Sequence, residues 1–258
     1  MKSILFCKQL TVLSLATVFG ALAAFAGQEV REEFHQTYPL TKQGRVHLEN
    51  VNGNVHIVTW DREEVKVDAV KHAKKQEHLD EVKIDIDAKS DRIRIKTKYP
   101  DSWARRNKNN STSVDYTLTM PSQSRLDKIS AVNGGIQIEN VIGDVEANSV
   151  NGPVTATGLA GKVELSSVNG PVKGSFAEVK KAISLKSVNG SVTVTVPPEA
   201  NADVSAKTLN GGVSSDFPLQ TKKHFPIGRN LDGKLGEGGP VIKMSSVNGG
   251  IHVDRAKR

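Results

Sequence analysis

Short alternating runs of aliphatic and polar residues recur through the second half of the chain. Ile136 and Ile138, Val154 and Ala156, Val192, Val194 and Val196, and Ile251 and Val253 are each separated by one polar residue. Period two marks a half-buried strand. The first half reads similarly, with strands predicted over 46–50, 54–59, 65–70, 82–86, 93–98 and 113–120. One helical turn fits 74–79. Residues 99–111 are polar and basic, which predicts an exposed loop. The glycine-rich stretch 228–240 predicts a flexible insertion or an irregular coil.

The alternating runs follow a recurring tripeptide. Val51-Asn52-Gly53, Val132-Asn133-Gly134, Val150-Asn151-Gly152, Val168-Asn169-Gly170, Val188-Asn189-Gly190, Leu209-Asn210-Gly211 and Val247-Asn248-Gly249 are seven copies of one pattern. From Asn133 to Asn210 the steps are 18, 18, 20 and 21 residues, and the next step of 38 reads as one repeat plus an insertion. Gly143-Asp144-Val145-Glu146-Ala147 also returns as Gly161-Lys162-Val163-Glu164-Leu165. Each repeat thus reads as strand, glycine turn, strand, Asn-Gly turn, without a helical period. A hairpin meander would use each Asn-Gly as a tight antiparallel turn. A solenoid would make each repeat one coil. The solenoid is favoured, because stacked coils put like residues about 4.8 Å apart and let asparagines bond from coil to coil.

Two positions before each asparagine stand Asn50, Ala131, Ser149, Ser167, Ser187, Thr208 and Ser246, all small or polar. The position between is aliphatic in every copy, so the valines are expected to be buried. On that reading Val168→Asp abolishes cooperative unfolding, while Lys173→Ala does almost nothing. Residues 28–60 are expected to cap one end of the stack, and the segment ending at Arg258 the other.

Composition sharpens this picture. Hydrophobic residues make up 37% of 258 and aromatics 5%, with 22 glycines, which suits a thin, repetitive core. Lys2 and Lys8, the apolar run from Leu10 to Phe25 and the closing Ala24-Phe25-Ala26 predict a signal peptide over 1–26 rather than a retained anchor. Cys7, the single cysteine, precedes the apolar run and is poorly placed for a lipid anchor. Cleavage removes two lysines and no acid, leaving 33 − 28 = +5. The mature chain then has no cysteine, hence no disulfide. No second apolar stretch is long enough to span a bilayer. Residues 27–120 are read as an N-terminal strand region and cap, and 121–258 as the repeat solenoid, continuous with it.

The opening Leu48-Glu49-Asn50-Val51-Asn52-Gly53-Asn54-Val55 with Trp60-Asp61, the serial Ser-Val-Asn-Gly copies and the closing Ile242-Lys243-Met244-Ser245-Ser246-Val247-Asn248-Gly249-Gly250-Ile251 resemble the bacterial putative-adhesin family of β-strand-repeat domains of unknown function. The resemblance covers nearly all of 40–254. It implies a β-solenoid on or outside the cell envelope, and it supplies no catalytic residues.

Candidate chemistry is sparse. The Asn-Gly pairs (Asn52, Gly53, Asn133, Gly134, Asn151, Gly152, Asn169, Gly170, Asn189, Gly190, Asn210, Gly211, Asn248, Gly249) are read as structural turns, with glycine supplying positive φ and asparagine bonding the turn. A calcium roll needs aspartates beside its glycines, and Asp144 alone follows a turn glycine. Glu146 and Glu164 sit at matching positions 18 residues apart, as a glycosidase carboxylate pair would, but with no aromatic sugar platform nearby. His47, His56 and His252 face outward and would chelate a metal if their strands were neighbours. Trp103, Arg105, Arg106 and Lys108 form the one basic cluster with an aromatic, a candidate contact for an anionic partner. No Gly-x-Ser-x-Gly, phosphate loop or zinc-helix motif appears.

The sequence therefore reads as an all-β, single-chain β-solenoid, exported to the periplasm, cell surface or medium. It is expected to be non-enzymatic and without cofactor or metal, a scaffold or adhesin-like surface for an envelope protein or polysaccharide and not for nucleic acid. The alternatives are a carbohydrate-active enzyme on a β-helix and an envelope-stress regulatory partner.

Overall fold

The structure, a computed structural model, describes residues 29–100, 112–223 and 228–257. The signal-peptide reading over 1–26 and the cluster Trp103, Arg105, Arg106 and Lys108 fall outside the described residues. The strands before the repeats are β1 (Val30–Pro39), β2 (Arg45–Asn52), β3 (Val55–Trp60), β4 (Glu64–Ala73), β5 (Lys83–Lys89), β6 (Arg92–Lys98) and β7 (Ser113–Pro121). There follow β8 (Arg125–Asn133), β9 (Ile136–Glu139), β10 (Val145–Asn151), β11 (Val154–Leu159), β12 (Val163–Asn169), β13 (Val172–Phe176), β14 (Ile183–Asn189) and β15 (Val192–Val196). The last are β16 (Ala202–Asn210), β17 (Val213–Ser215), β18 (Gln220–Lys223), β19 (Arg229–Leu235), β20 (Val241–Asn248) and β21 (Ile251–Arg255). One short helix, α1 (Gln76–Glu81), breaks the series, anchored by buried Leu79.

Two sheets face each other. One runs β1-β4-β7-β3-β9-β11-β13-β15-β21-β17, the other β18-β19-β16-β20-β14-β12-β10-β8-β2-β6-β5. Each coil lays one strand in each sheet, and successive coils pair in parallel: β10 on β12 matches Val145 to Val163 and Asn151 to Asn169. This excludes the meander. The inward rows, such as Val163 and Leu165 beside Ile183 and Leu185, are almost fully buried between the sheets. Alternation along each strand makes this inevitable, since every second side chain points to the same face.

The same alternation overturns the expected orientation of the repeat. Ser149, Ser167, Ser187 and Ser246 are only 3–6% exposed, whereas Val132, Val150, Val168, Val188, Val247 and Leu209 are 37–49% exposed. Counting by twos from Val163 through Leu165 places Ser167 inside and Val168 outside. A serine is tolerated there because its hydroxyl has a partner. Ser167 Oγ donates to the Gly152 carbonyl of the preceding coil at 2.8 Å, and Ser149, Ser187, Ser246 and Thr208 repeat the bond to Gly134, Gly170, Gly190 and Gly249. Ala131 lacks a hydroxyl, and the carbonyl it would have served, that of Gly53, accepts Asn50 Nδ2 instead at 3.1 Å.

The order of coils also differs from the expectation. β16 does not lie on β14: β20 sits between them in parallel register with both, and β21 likewise separates β15 from β17. The chain skips one slot after β15 and fills it with its last two strands. The C-terminal segment is therefore an inner rung, not a cap. That end is covered by β19, antiparallel to β16, and by β18, antiparallel to β19. The expected irregular coil at 228–240 thus contains a strand of the second sheet. At the other end β6 and β7 form the outermost parallel rung, paired on β2 and β3, with β4 and β1 added antiparallel beyond β7 and β5 antiparallel beyond β6. Of the segment 28–60 expected to cap this end, only β1 lies at the edge, and β2 and β3 are inner strands. Antiparallel strands rich in charge end the stack without offering a flat parallel template.

Candidate functional site

Where each coil passes from one sheet to the other, the asparagine ends a strand and the glycine bends the chain. The seven asparagines form one continuous amide ladder. Asn133 Nδ2 donates to Asn52 Oδ1, and the same bond joins Asn151 to Asn133, Asn169 to Asn151, Asn189 to Asn169, Asn248 to Asn189 and Asn210 to Asn248, all at 2.8–2.9 Å. Every amide points the same way, and Asn52 Nδ2 closes the line on the Thr112 carbonyl at 3.2 Å. Aligned amides polarise one another, so the ladder is a directional chain of dipoles. Asn169→Ala removes two of these bonds and is expected to cost about 1–2 kcal/mol; Asn210→Ala, at the end, about half that. Urea titrations of the two variants give the comparison, and equal losses would contradict the ladder.

The glycines form a second ladder, for a reason other than the expected one. Of the seven, only Gly53 has positive φ, at 109°. The others are required by closeness: a Cβ on Gly134, Gly152, Gly170, Gly190, Gly249 or Gly211 would lie far inside contact distance of the carbonyl of Gly53, Gly134, Gly152, Gly170, Gly190 or Gly249 respectively. The two ladders climb in the same order.

At the N-terminal end the corner is sealed by a buried polar network. Asn50 Nδ2 donates to the Val114 carbonyl at 2.8 Å, and Thr97 Oγ1 donates to Asn50 Oδ1 at 3.0 Å. With its proton spent on Asn50, Thr97 must accept from the Tyr116 hydroxyl, 2.7 Å away. Burial pushes the Tyr116 phenol up to about 12, so this donor keeps its proton. Spacing alone does not mark this trio; its one trace in the sequence is Asn50, where four of the other six copies have serine.

The remaining candidates separate. Glu146 and Glu164 are in register on adjacent strands, on an open depression of about 90 Å³. The Lys162 ammonium, 2.7 Å from Glu164, holds that carboxyl below its usual range, opposite to what a general acid needs. Asp144 accepts the Lys162 amide and the Lys181 ammonium, each at 2.9 Å, so its carboxylate is already committed to cationic and N–H donors. His56 and His252 lie on β3 and β21, with four strands between them in one sheet, and His47 lies in the other. Among the described residues no group of three or more histidines, cysteines or acids could hold a metal.

Glu49 is the most perturbed carboxylate. A hydrogen bond from His47 at 3.0 Å, with Lys96 and Lys128 beyond, holds it at about 2 against the opposing effect of burial. A carboxyl lowered in the folded state stabilises the protein above its unfolded value near 4.5, and that contribution is lost as pH falls from there towards 2. A third of the side chain is exposed, so the effect is expected to stay under about 1 kcal/mol. Glu49→Gln should therefore be slightly less stable than the parent at pH 7 and equal to it near pH 2, as thermal melts across that range would show.

Among curated proteins nothing matches the chain. Solved structures similar to it include a putative cell adhesion protein from Clostridium sporogenes, 13% identical, covering 87% of this chain and 100% of its own, with a TM-score of 0.45. A putative adhesin from Bacteroides fragilis is also 13% identical, covers 87% of this chain and 97% of its own, and has a TM-score of 0.27. A putative lipid binding protein from Parabacteroides distasonis is 10% identical over 90% of this chain and 98% of its own, with a TM-score of 0.33. Residues 110–254, more than half of the chain, match the Toastrack DUF4097 family, a group of β-strand domains of unknown function, and the protein belongs to it.

Proposed function

We infer that the protein is a non-enzymatic β-solenoid that acts as an exported cell-envelope scaffold or adhesin-like binding surface. The observation that carries this reading is the unbroken asparagine ladder. Seven coils tied by side-chain amides, with glycine carbonyls bonded from coil to coil, make a stiff body whose outer faces repeat at fixed spacing. Such a body suits presentation better than turnover. No helix among the described residues is long and apolar enough to cross a membrane. Export follows from the signal-peptide reading of 1–26 and places the mature chain, with 27–120 and 121–258 as one continuous stack, in the periplasm, at the surface or outside. Its partner on this reading is an envelope protein or polysaccharide, and no cofactor takes part.

The adjacency of Glu146 and Glu164 favours one rival, polysaccharide hydrolysis. A single experiment separates the two. Purified mature chain is placed on an array of glycans and envelope fractions, and the same ligands are assayed for cleavage. Retention without cleavage is the expected result. Cleavage that disappears in Glu164→Gln would replace the scaffold by an enzyme.

A further inference from the structure

We propose that the outer face of β5, β6, β2 and β8 binds a linear polyanionic glycan lying across the strands. This rests on the binding-surface reading above and names the chemistry of the partner. The outward positions of these four neighbouring strands carry nine lysines and arginines (83, 89, 92, 94, 96, 98, 45, 125 and 128) against four acids (85, 87, 49 and 127). The excess, 9 − 4 = +5, equals the whole net charge of residues 27–258, 33 − 28. On balance the remainder of those residues is neutral, and the charge is gathered on one patch.

Within the patch the cations are aligned. Lys89 is paired with Arg92, Arg92 with Arg45, and Arg45 with Arg125, so one basic side chain per strand runs perpendicular to four strands. The step is about 4.8 Å. Like charges directly opposite one another destabilise a sheet, and the acids do not relieve the row from within. Asp87 reaches Arg92 at 3.5 Å and Asp144 reaches Arg125 at 3.6 Å, each from beside it. Asp127 approaches Arg45 only to 3.9 Å, from the bulge that breaks the β2–β8 register. Arg94, in the next row, stands across from Asp87 of β5.

The shape of the patch selects the partner. The row itself holds no large apolar or aromatic side chain, Val51 and Val132 standing at the far ends of β2 and β8, and a depression of about 110 Å³ lies beside it between Arg45, Arg92 and Arg94. A lipid surface would be met by apolar side chains as well as charge, bases by aromatic stacking, and a protein by aromatic anchors. An evenly spaced line of arginines, whose forked guanidinium matches carboxylate, sulfate or phosphate, fits a polymer with a negative group on each repeating unit.

The full mature chain is titrated with dextran sulfate, polygalacturonate, neutral dextran and phosphatidylglycerol vesicles. Binding to the two polyanions, weakening with added NaCl and absent with neutral dextran, is expected. Arg45→Gln/Arg92→Gln/Arg125→Gln should weaken it by at least about tenfold. Lys186→Gln/Lys207→Gln/Lys243→Gln, which removes the same charge from β14, β16 and β20, should change it by less than about twofold. Arg92→Gln alone, the mildest change, should lie between. Equal losses in the two triple variants, binding to vesicles but not to polymers, or no polyanion binding would each overturn the proposal. Capture of a neutral glycan or a protein on the array, without polyanion binding, would overturn it and leave the scaffold reading standing.

Discussion

Val194→Asp is expected to abolish cooperative folding, whereas Val168→Asp leaves the protein folded with a loss below about 1 kcal/mol. Val194 is fully buried in β15, flanked in register by Gly174 of β13 and Val253 of β21. An aspartate there has no cation to pair with, because the buried rows hold aliphatic side chains and a few neutral polar ones but no lysine or arginine. A buried, unpaired charge costs several kcal/mol, against a total stability of about 5–15 kcal/mol. The damage extends beyond one coil, because each rung provides the hydrogen-bonding edge of the next. Val168 differs in a single respect: it points outward and is 41% exposed, so a carboxylate there remains in water. Urea denaturation followed by far-ultraviolet circular dichroism reads both. Equal midpoints would mean that the inward and outward rows are misassigned.

This contrast also marks what the sequence makes legible. The repeat, its strand content and the stacking of asparagines follow from spacing alone, because only a coil returns like residues to like places. The facing of Val168 was open to the same arithmetic, since Val163, Leu165 and Ser167 are separated by twos. The aliphatic character of the valine site pointed the other way. A buried serine becomes intelligible only when its acceptor is known, and that acceptor, the Gly152 carbonyl, belongs to the coil before. The order of coils is harder. A spacing of 38 residues between Asn210 and Asn248 is compatible with either slot. Thr208 and Leu209 replace the usual serine and valine, and terminal repeats are atypical; that departure is the trace, in sequence, of β16 standing outside β20. The basic row is less legible still. Lys89, Arg92, Arg45 and Arg125 are scattered over 81 positions, and no local window brings them together.

Gly170→Ala is expected to cost about 3 kcal/mol and Gly212→Ala almost nothing, although both glycines occupy corners of the same solenoid. Neither has positive φ, so backbone strain does not separate them. Contact does. A methyl group on Gly170 would meet the carbonyl of Gly152 well inside its van der Waals radius, and that atom is main chain, with no rotamer to give way. The two coils must part at the corner. Overpacking of this kind costs about 1–3 kcal/mol. It also breaks the Ser167 hydrogen bond to the same carbonyl and strains the asparagine bond from Asn169 to Asn151 alongside, each worth about 1 kcal/mol. On Gly212 the added carbon would find only Arg229 Nη1, at 3.9 Å, an ordinary contact with the end of a flexible side chain. There the reduced entropy of the unfolded chain offsets what little is lost. Matched urea titrations measure the difference. A Gly170→Ala protein as stable as Gly212→Ala would show that the glycine corners do not touch, and with that contact would go the reason each coil must carry a glycine after its asparagine.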